Sequence, residues 1–162
     1  MHEHIWAPWR AGFVLASQPK GCVFCRIAKT TDDRAQWIIF RGKLNYVVIN
    51  KFPYTIGHLL VVPYAHTKTL ERLPDTVANE HFLLVRHATG ALRATLKPHG
   101  VNIGMNLGRL AGAGVQGHLH THLVPRWAGD NNFMPVIGQT RVHSIDVGPV
   151  YERLVATLRK RL

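Results

Sequence analysis

Apolar residues in this chain fall into short blocks before they fall into helical rows. Trp37-Ile38-Ile39-Phe40 and Leu44 to Ile49 flank Arg41-Gly42-Lys43, and two β-rich runs around a glycine predict a hairpin. Pro53 and Gly57 punctuate its exit. His58 to Val62 is a third β-rich run, closed by Pro63 and followed by a loop over 64–74 that ends at Pro74. The period then changes: Asp75 is the candidate N-cap of a long helix in which Val77, Leu84, Ala88, Ala91, Leu92, Thr95 and Leu96 recur at helical spacing. Pro98 and Gly100 stop it. Val101 to Leu107 predicts a strand, Gly108 to Gly117 a glycine-rich connection, and His118 to Val124 a strand of strict alternation. From about Pro149 an amphipathic helix presents Val150, Leu154, Val155 and Leu158, with Arg159-Lys160-Arg161 near its end, where cations suit the helix dipole. Residues 22–36 hold a short helix, and residues 1–21 form an irregular arm. The pattern predicts one α+β domain over 22–162, an antiparallel meander with helices packed on one face.

Composition narrows the class. A chain of 162 residues has the length of one domain, and 46% hydrophobic against 18% charged residues excludes a disordered or fibrous protein. The longest apolar run, Leu59-Leu60-Val61-Val62, is far short of the roughly 20 residues that span a bilayer. The N-terminal stretch lacks the continuous apolar region of a secretory signal, so the expected compartment is the cytosol. With 20 Lys+Arg against 9 Asp+Glu, the formal charge of +11 points to an anionic partner: a nucleotide, a nucleic acid or an acidic surface. Solubility alone is the competing explanation. Nucleic acid ranks last, because no helix-turn-helix, zinc-finger or RNA-binding aromatic motif accompanies the charge.

The candidate chemistry lies in His118-Leu119-His120-Thr121-His122-Leu123-Val124-Pro125. Side chains alternate across a strand, so His118, His120 and His122 share one face. At about 3.3 Å per residue the outer two Cα atoms lie roughly 13 Å apart, which suits a central nucleophile with flanking polar groups better than three ligands on one metal. Neutral imidazole is a good nucleophile near neutral pH, and attack on an α-phosphorus gives a labile nucleotidyl-imidazole. Gly108, Gly112, Gly114 and Gly117 precede this segment and permit the close backbone approach of a phosphate cradle, or else an ordinary connection.

His118-Leu119-His120-Thr121-His122-Leu123-Val124 resembles the motif of the histidine-triad (HIT) family. Val47-Val48-Ile49-Asn50-Lys51-Phe52-Pro53 with Gly57-His58-Leu59-Leu60-Val61-Val62-Pro63 is similar to that family's first block. Trp6-Ala7-Pro8-Trp9-Arg10 and the Val124-Pro125-Arg126-Trp127 ending are similar to its bacterial diadenosine-polyphosphate hydrolases and phosphorylases. The resemblance implies a five-stranded antiparallel sheet with two main helices on one face, usually a homodimer, acting on dinucleoside polyphosphates. It implies His120 as nucleophile, His122 and His118 beside it, and His58 as a fourth site histidine. Asn50 falls at the ribose contact and Asn106 near the phosphates, with Gly112, Ala113 and Gly114 as the cradle. Many members carry Gly-Gln-Ser or Gly-Gln-Thr before the triad. This chain has Gly112-Ala113-Gly114-Val115, which leaves hydrolase and phosphorylase both open, beside a nucleotide-binding regulatory protein of weak turnover.

Cys22-Val23-Phe24-Cys25 has the spacing of half a tetrahedral zinc site, two reduced thiols being the alternative. The resemblance implies His66 and His118 as the remaining ligands of a structural zinc. No organic cofactor is implied. His81, His87, His99 and His143 read as surface or packing residues, and His2 and His4 as terminal.

Overall fold

The computed structural model describes residues 21–130 and 146–162. The Trp6 to Arg10 segment, His2, His4 and His143 lie outside the described residues. Five strands, β1 (Ile38–Arg41), β2 (Asn45–Ile49), β3 (Leu59–Pro63), β4 (Gly100–Met105) and β5 (Thr121–Arg126), form one antiparallel sheet in the order β1-β2-β3-β5-β4. β1 and β2 make the expected hairpin, with Arg41 opposite Tyr46 and the Gly42 N–H donating to the Asn45 carbonyl at 2.8 Å. β5 lies between β3 and β4, so the histidine-bearing chain runs through the interior of the sheet.

Three helices complete the described residues: α1 (Val23–Ala28), α2 (Asp75–Leu96) and α3 (Val147–Arg159). The two long ones pack on one face, where Val47, Ile49, Leu59, Val61 and Leu123 meet Leu84, Ala88, Leu92, Leu154 and Leu158. The short α1 covers the other face, where Phe24 packs on Ile38, Tyr46, Val48, Leu60 and Val62. Burial on both faces is why β2 and β3 read as continuous apolar runs rather than alternating ones. The Arg41 guanidinium fastens the chain after α1 to the sheet, donating to the Ala28 and Thr30 carbonyls at 2.8 Å each and to Asp33 at 2.7 Å.

Several boundaries differ from expectation. Asp75 is not an N-cap: Pro74 takes that position in an extended conformation, and Asp75 is the first helical residue, with its carboxylate at the positive end of the dipole. The helix stops because Lys97 turns left-handed (φ 48°) before Pro98, whose ring disfavours the helical region for the residue ahead of it. β4 ends at Met105 rather than Leu107. The ladder of β5 begins at Thr121 rather than His118 and runs on to Arg126. Upstream of it the chain is tied elsewhere, the Leu119 N–H donating to the Thr67 carbonyl at 2.6 Å.

Candidate active site and metal cluster

β5 and the residues that lead into β5 and β3 place three histidines on the face that α1 covers. His122 pairs in register with Leu60, and His58 stands two residues before Leu60 on the same side. His120 joins them, its ring centroid 4.8 Å from that of His122, and Phe24 of α1 lies 4.9 Å from His120. These rings border a cavity of about 230 Å³. Its apolar walls include Val23, Phe24, Ile27, Trp37, Val48 and Leu60, and its polar ones Asn50, Gly112, Gly114, His120 and His122.

Hydrogen bonds fix the proton on each imidazole. His120 Nδ1 lies 2.8 Å from the His118 carbonyl, which can only accept, so Nδ1 carries the proton and Nε2 keeps its lone pair. His122 has the opposite tautomer. The Tyr54 N–H donates to His58 Nδ1 at 3.1 Å, so His58 carries its proton on Nε2 and donates it to His122 Nδ1 at 2.9 Å. His122 therefore presents Nε2–H. Two neighbouring imidazoles thus offer one lone pair and one donor. Burial, reinforced by His122 and His120, lowers the His58 pKa to about 3. Burial likewise lowers His120, against the opposing effect of its bond to the His118 carbonyl, so the lone pair is available at neutral pH.

His118 faces elsewhere. Its Nε2 donates to the Pro63 carbonyl at 2.8 Å, which leaves Nδ1 bare, 3.2 Å from Cys22 Sγ and 3.6 Å from Cys25 Sγ. His66 Nδ1 lies 3.3 Å from Cys25 Sγ, and the four donor atoms all fall within 4.8 Å of one another. Zinc–sulfur bonds of about 2.3 Å and zinc–nitrogen bonds of about 2.0–2.1 Å at tetrahedral angles put S and N about 3.6 Å apart, so the cluster fits that ion. The His118–Pro63 bond is the outer contact that orients a ligating imidazole. Burial, then the neighbouring Cys22, pushes the Cys25 thiol up, so paired thiolates here call for a cation between them.

The remaining sequence-derived residues divide. Asn50 lines the cavity but spends its amide locally: Oδ1 accepts from the Phe52 N–H at 3.0 Å and Nδ2 lies 3.3 Å from His58 Nδ1. Gly112, at φ +86°, needs its missing side chain, and with Gly114 it borders the cavity; Ala113 between them is buried. Asn106 reaches the Gly112 carbonyl at 3.4 Å and lines a second cavity of about 430 Å³, which shares His122 and Tyr54 with the first. His118 borders neither of these cavities. The motifs did not single out the aromatic contributors. Tyr54 stacks 4.8 Å from His58 and 5.9 Å from His122. Trp37 stands in the left-handed region (φ 58°), a costly conformation for a bulky residue, and is held by its carbonyl bond from the Ile49 N–H at 2.9 Å and by edge contact with Tyr151 at 5.5 Å. Its place at the head of the Trp37-Ile38-Ile39-Phe40 run was the one available signal.

With this geometry in hand, the HIT domain profile matches residues 32–129. The chain belongs to the HIT family. It is 36% identical over 149 residues to the AP-4-A phosphorylase of Mycobacterium tuberculosis, covering 86% of this chain and 76% of that protein. A zinc-bound histidine triad family protein from Mycobacterium smegmatis superposes with a TM-score of 0.69 at 28% identity, over 86% of this chain and 94% of the other. The diadenosine triphosphate hydrolase of Plasmodium falciparum shares the HIT fold at 18% identity and a TM-score of 0.59, over 77% of this chain and 76% of that one. As in these HIT proteins, the architecture is α+β around a five-stranded antiparallel sheet.

Proposed function

We propose that this HIT protein cleaves dinucleoside polyphosphates of the diadenosine tetraphosphate class at the α-phosphorus, through a nucleotidyl-histidine on His120. The observation that carries this reading is the pair of opposed tautomers: a bare Nε2 on His120 beside an Nε2–H on His122, both rings bordering one cavity. His120 Nε2 forms the bond to phosphorus, and the P–O bond to the departing nucleoside polyphosphate breaks with its electron pair. His122 Nε2–H and the backbone at Gly112 and Gly114 hold the phosphate oxygens as charge builds on them. An acceptor oxygen then attacks phosphorus, the P–N bond breaks, and the lone pair returns to His120. The apolar walls formed by Val23, Phe24, Ile27 and Val48 suit a base, and Asn50 stands where the family resemblance puts the ribose.

The acceptor we assign is inorganic phosphate. The 36% identity to the AP-4-A phosphorylase of Mycobacterium tuberculosis supports this. Diadenosine tetraphosphate then yields ATP and ADP with phosphate, and ATP and AMP if water is the acceptor. Chromatography of products with and without phosphate tests both statements: an inactive wild-type protein rejects the enzyme, and AMP as sole companion of ATP at saturating phosphate rejects the phosphorylase.

Cys22, Cys25, His66 and His118 would hold a structural zinc, which when bound clamps the start of α1 to the lead-in of β5 and neutralises two thiolates. The free thiols suit a reducing, cytosolic setting, and no helix among the described residues is long and apolar enough to cross a membrane. A homodimer is supported by the open edge of β4, where Ile103 is exposed, and sedimentation tests it.

A further inference from the structure

One buried polar network lies outside the cavity and on the opposite face of the sheet. His81 of α2 is 3% exposed, and both its ring nitrogens are engaged. Nδ1 lies 2.9 Å from Asn45 Oδ1 and Nε2 lies 2.6 Å from Thr121 Oγ1. The Asn45 amide is oriented by its own bond, Nδ2 donating to the Val77 carbonyl at 3.1 Å, so Oδ1 is the acceptor and His81 Nδ1 the donor. Nε2 is therefore bare and accepts from the Thr121 hydroxyl. The base of the network is fixed as well, because Glu80 Oε1 accepts from the Leu44 and Asn45 N–H groups at 2.9 Å each.

Thr121 is the residue between His120 and His122, and it is also where the tied lead-in becomes sheet. Its backbone pairs with Val61 and Met105 on the two sides, and its side chain points away from the cavity to α2. Sheet pairing alone fixes the strand laterally. The His81–Thr121 bond fixes its depth at the point that sets how far His120 stands from His122.

We propose that His81 is a positioning residue for the HIT reaction, acting through the Thr121 hydroxyl to hold the nucleophile and its neighbouring donor in their relative geometry. A bond of this kind matters most in the transition state, where small misplacements of a reacting group cost orders of magnitude in rate. His81 is held neutral by burial, so the acceptor nitrogen persists through neutral pH.

The inference rests on the phosphorus chemistry proposed above, and the test separates the two. Steady-state cleavage of diadenosine tetraphosphate is measured for wild type, Thr121→Val, Thr121→Ser, His81→Leu and the Thr121→Val/His81→Leu double variant, with zinc content and thermal midpoint recorded for each. An inactive wild type sinks the enzymatic reading itself. With an active wild type, the expectation is that Thr121→Val, nearly isosteric, loses roughly tenfold or more in kcat with KM changed less than about threefold. Thr121→Ser, which keeps the hydroxyl, recovers most of the rate, and the double variant is no worse than the poorer single. A Thr121→Val protein with wild-type kcat overturns the proposal, as do losses that multiply in the double variant or a rate loss that the serine variant fails to recover.

Discussion

Acid should weaken this fold through two buried imidazoles, by an amount the structure allows one to state. Folding keeps His58 and His81 neutral: burial, helped by His122 and His120, lowers the first from 6.5 to about 3, and burial lowers the second from 6.5 to about 4. A group whose pKa falls on folding binds its proton more readily in the unfolded chain, so its contribution is complete above 6.5 and is lost as pH falls toward the folded value. Each pH unit in that window is worth up to about 1.4 kcal/mol, so His58 contributes up to about 5 and His81 up to about 3 kcal/mol. Where the windows overlap, the two together tilt stability by up to about 2.7 kcal/mol per pH unit, against a typical total of about 5–15 kcal/mol. The assay is urea unfolding from about pH 7.5 to about pH 4.5 for wild type, His58→Gln and His81→Gln. Carboxylates common to all three proteins cancel in the differences, and the His81→Gln difference is the cleaner of the two, because His58 is hydrogen-bonded to His122 and its replacement alters that neighbour as well. Each variant should be less stable at neutral pH, show a slope shallower by about 1 kcal/mol per pH unit, and approach the wild type at the acid end. Variant profiles that run parallel to the wild type across the range would refute the argument that these rings are held neutral by the fold.

Other consequences are as direct. His120→Ala should lower kcat for diadenosine tetraphosphate by roughly 10³-fold or more while leaving AMP binding measurable by calorimetry, since the variant removes the nucleophile and keeps the apolar walls of the cavity. His58→Phe keeps an aromatic ring but gives His122 Nδ1 no donor, and kcat should fall about 10²-fold, read by the same product assay. Metal analysis should find about one zinc per chain in wild type and a substoichiometric amount in Cys25→Ser, with a thermal midpoint lowered by chelator only in the former. Arg41→Ala removes the bonds to Ala28, Thr30 and Asp33; the loosened α1 wall should raise KM several-fold with little change in kcat, because Val23, Phe24 and Ile27 line the cavity.

The histidine alternation and the two-residue spacing of the cysteines were readable from the chain because both are local. Strand period 2 set His120 and His122 on one face, and the hairpin around Gly42 followed from its flanking runs. What the period could not reveal is where the ladder stops. His118 and His120 precede the sheet, and His118 turns to the cysteines because its Nε2 is captured by Pro63, a residue 55 positions away. His81 read as a surface or packing residue, and only the approach of Asn45 and Thr121 from two strands gives it both partners. Trp37 carries no motif at all; its left-handed backbone is imposed by Ile49 and Tyr151, from β2 and α3. Register, length and face were local properties. Tautomers were not, since each depends on a carbonyl, amide or ring supplied by another part of the chain.

The His118 carbonyl accepts the His120 Nδ1 proton, while the ring of that same residue belongs to the cysteine cluster. A single amino acid therefore serves two masters, and the two ends of its allegiance cannot drift independently. Without Cys22 and Cys25 the ring of His118 would keep its bond to the Pro63 carbonyl, and the alignment of its neighbour's reactive nitrogen would lean on that bond and on the tie from Leu119 to Thr67.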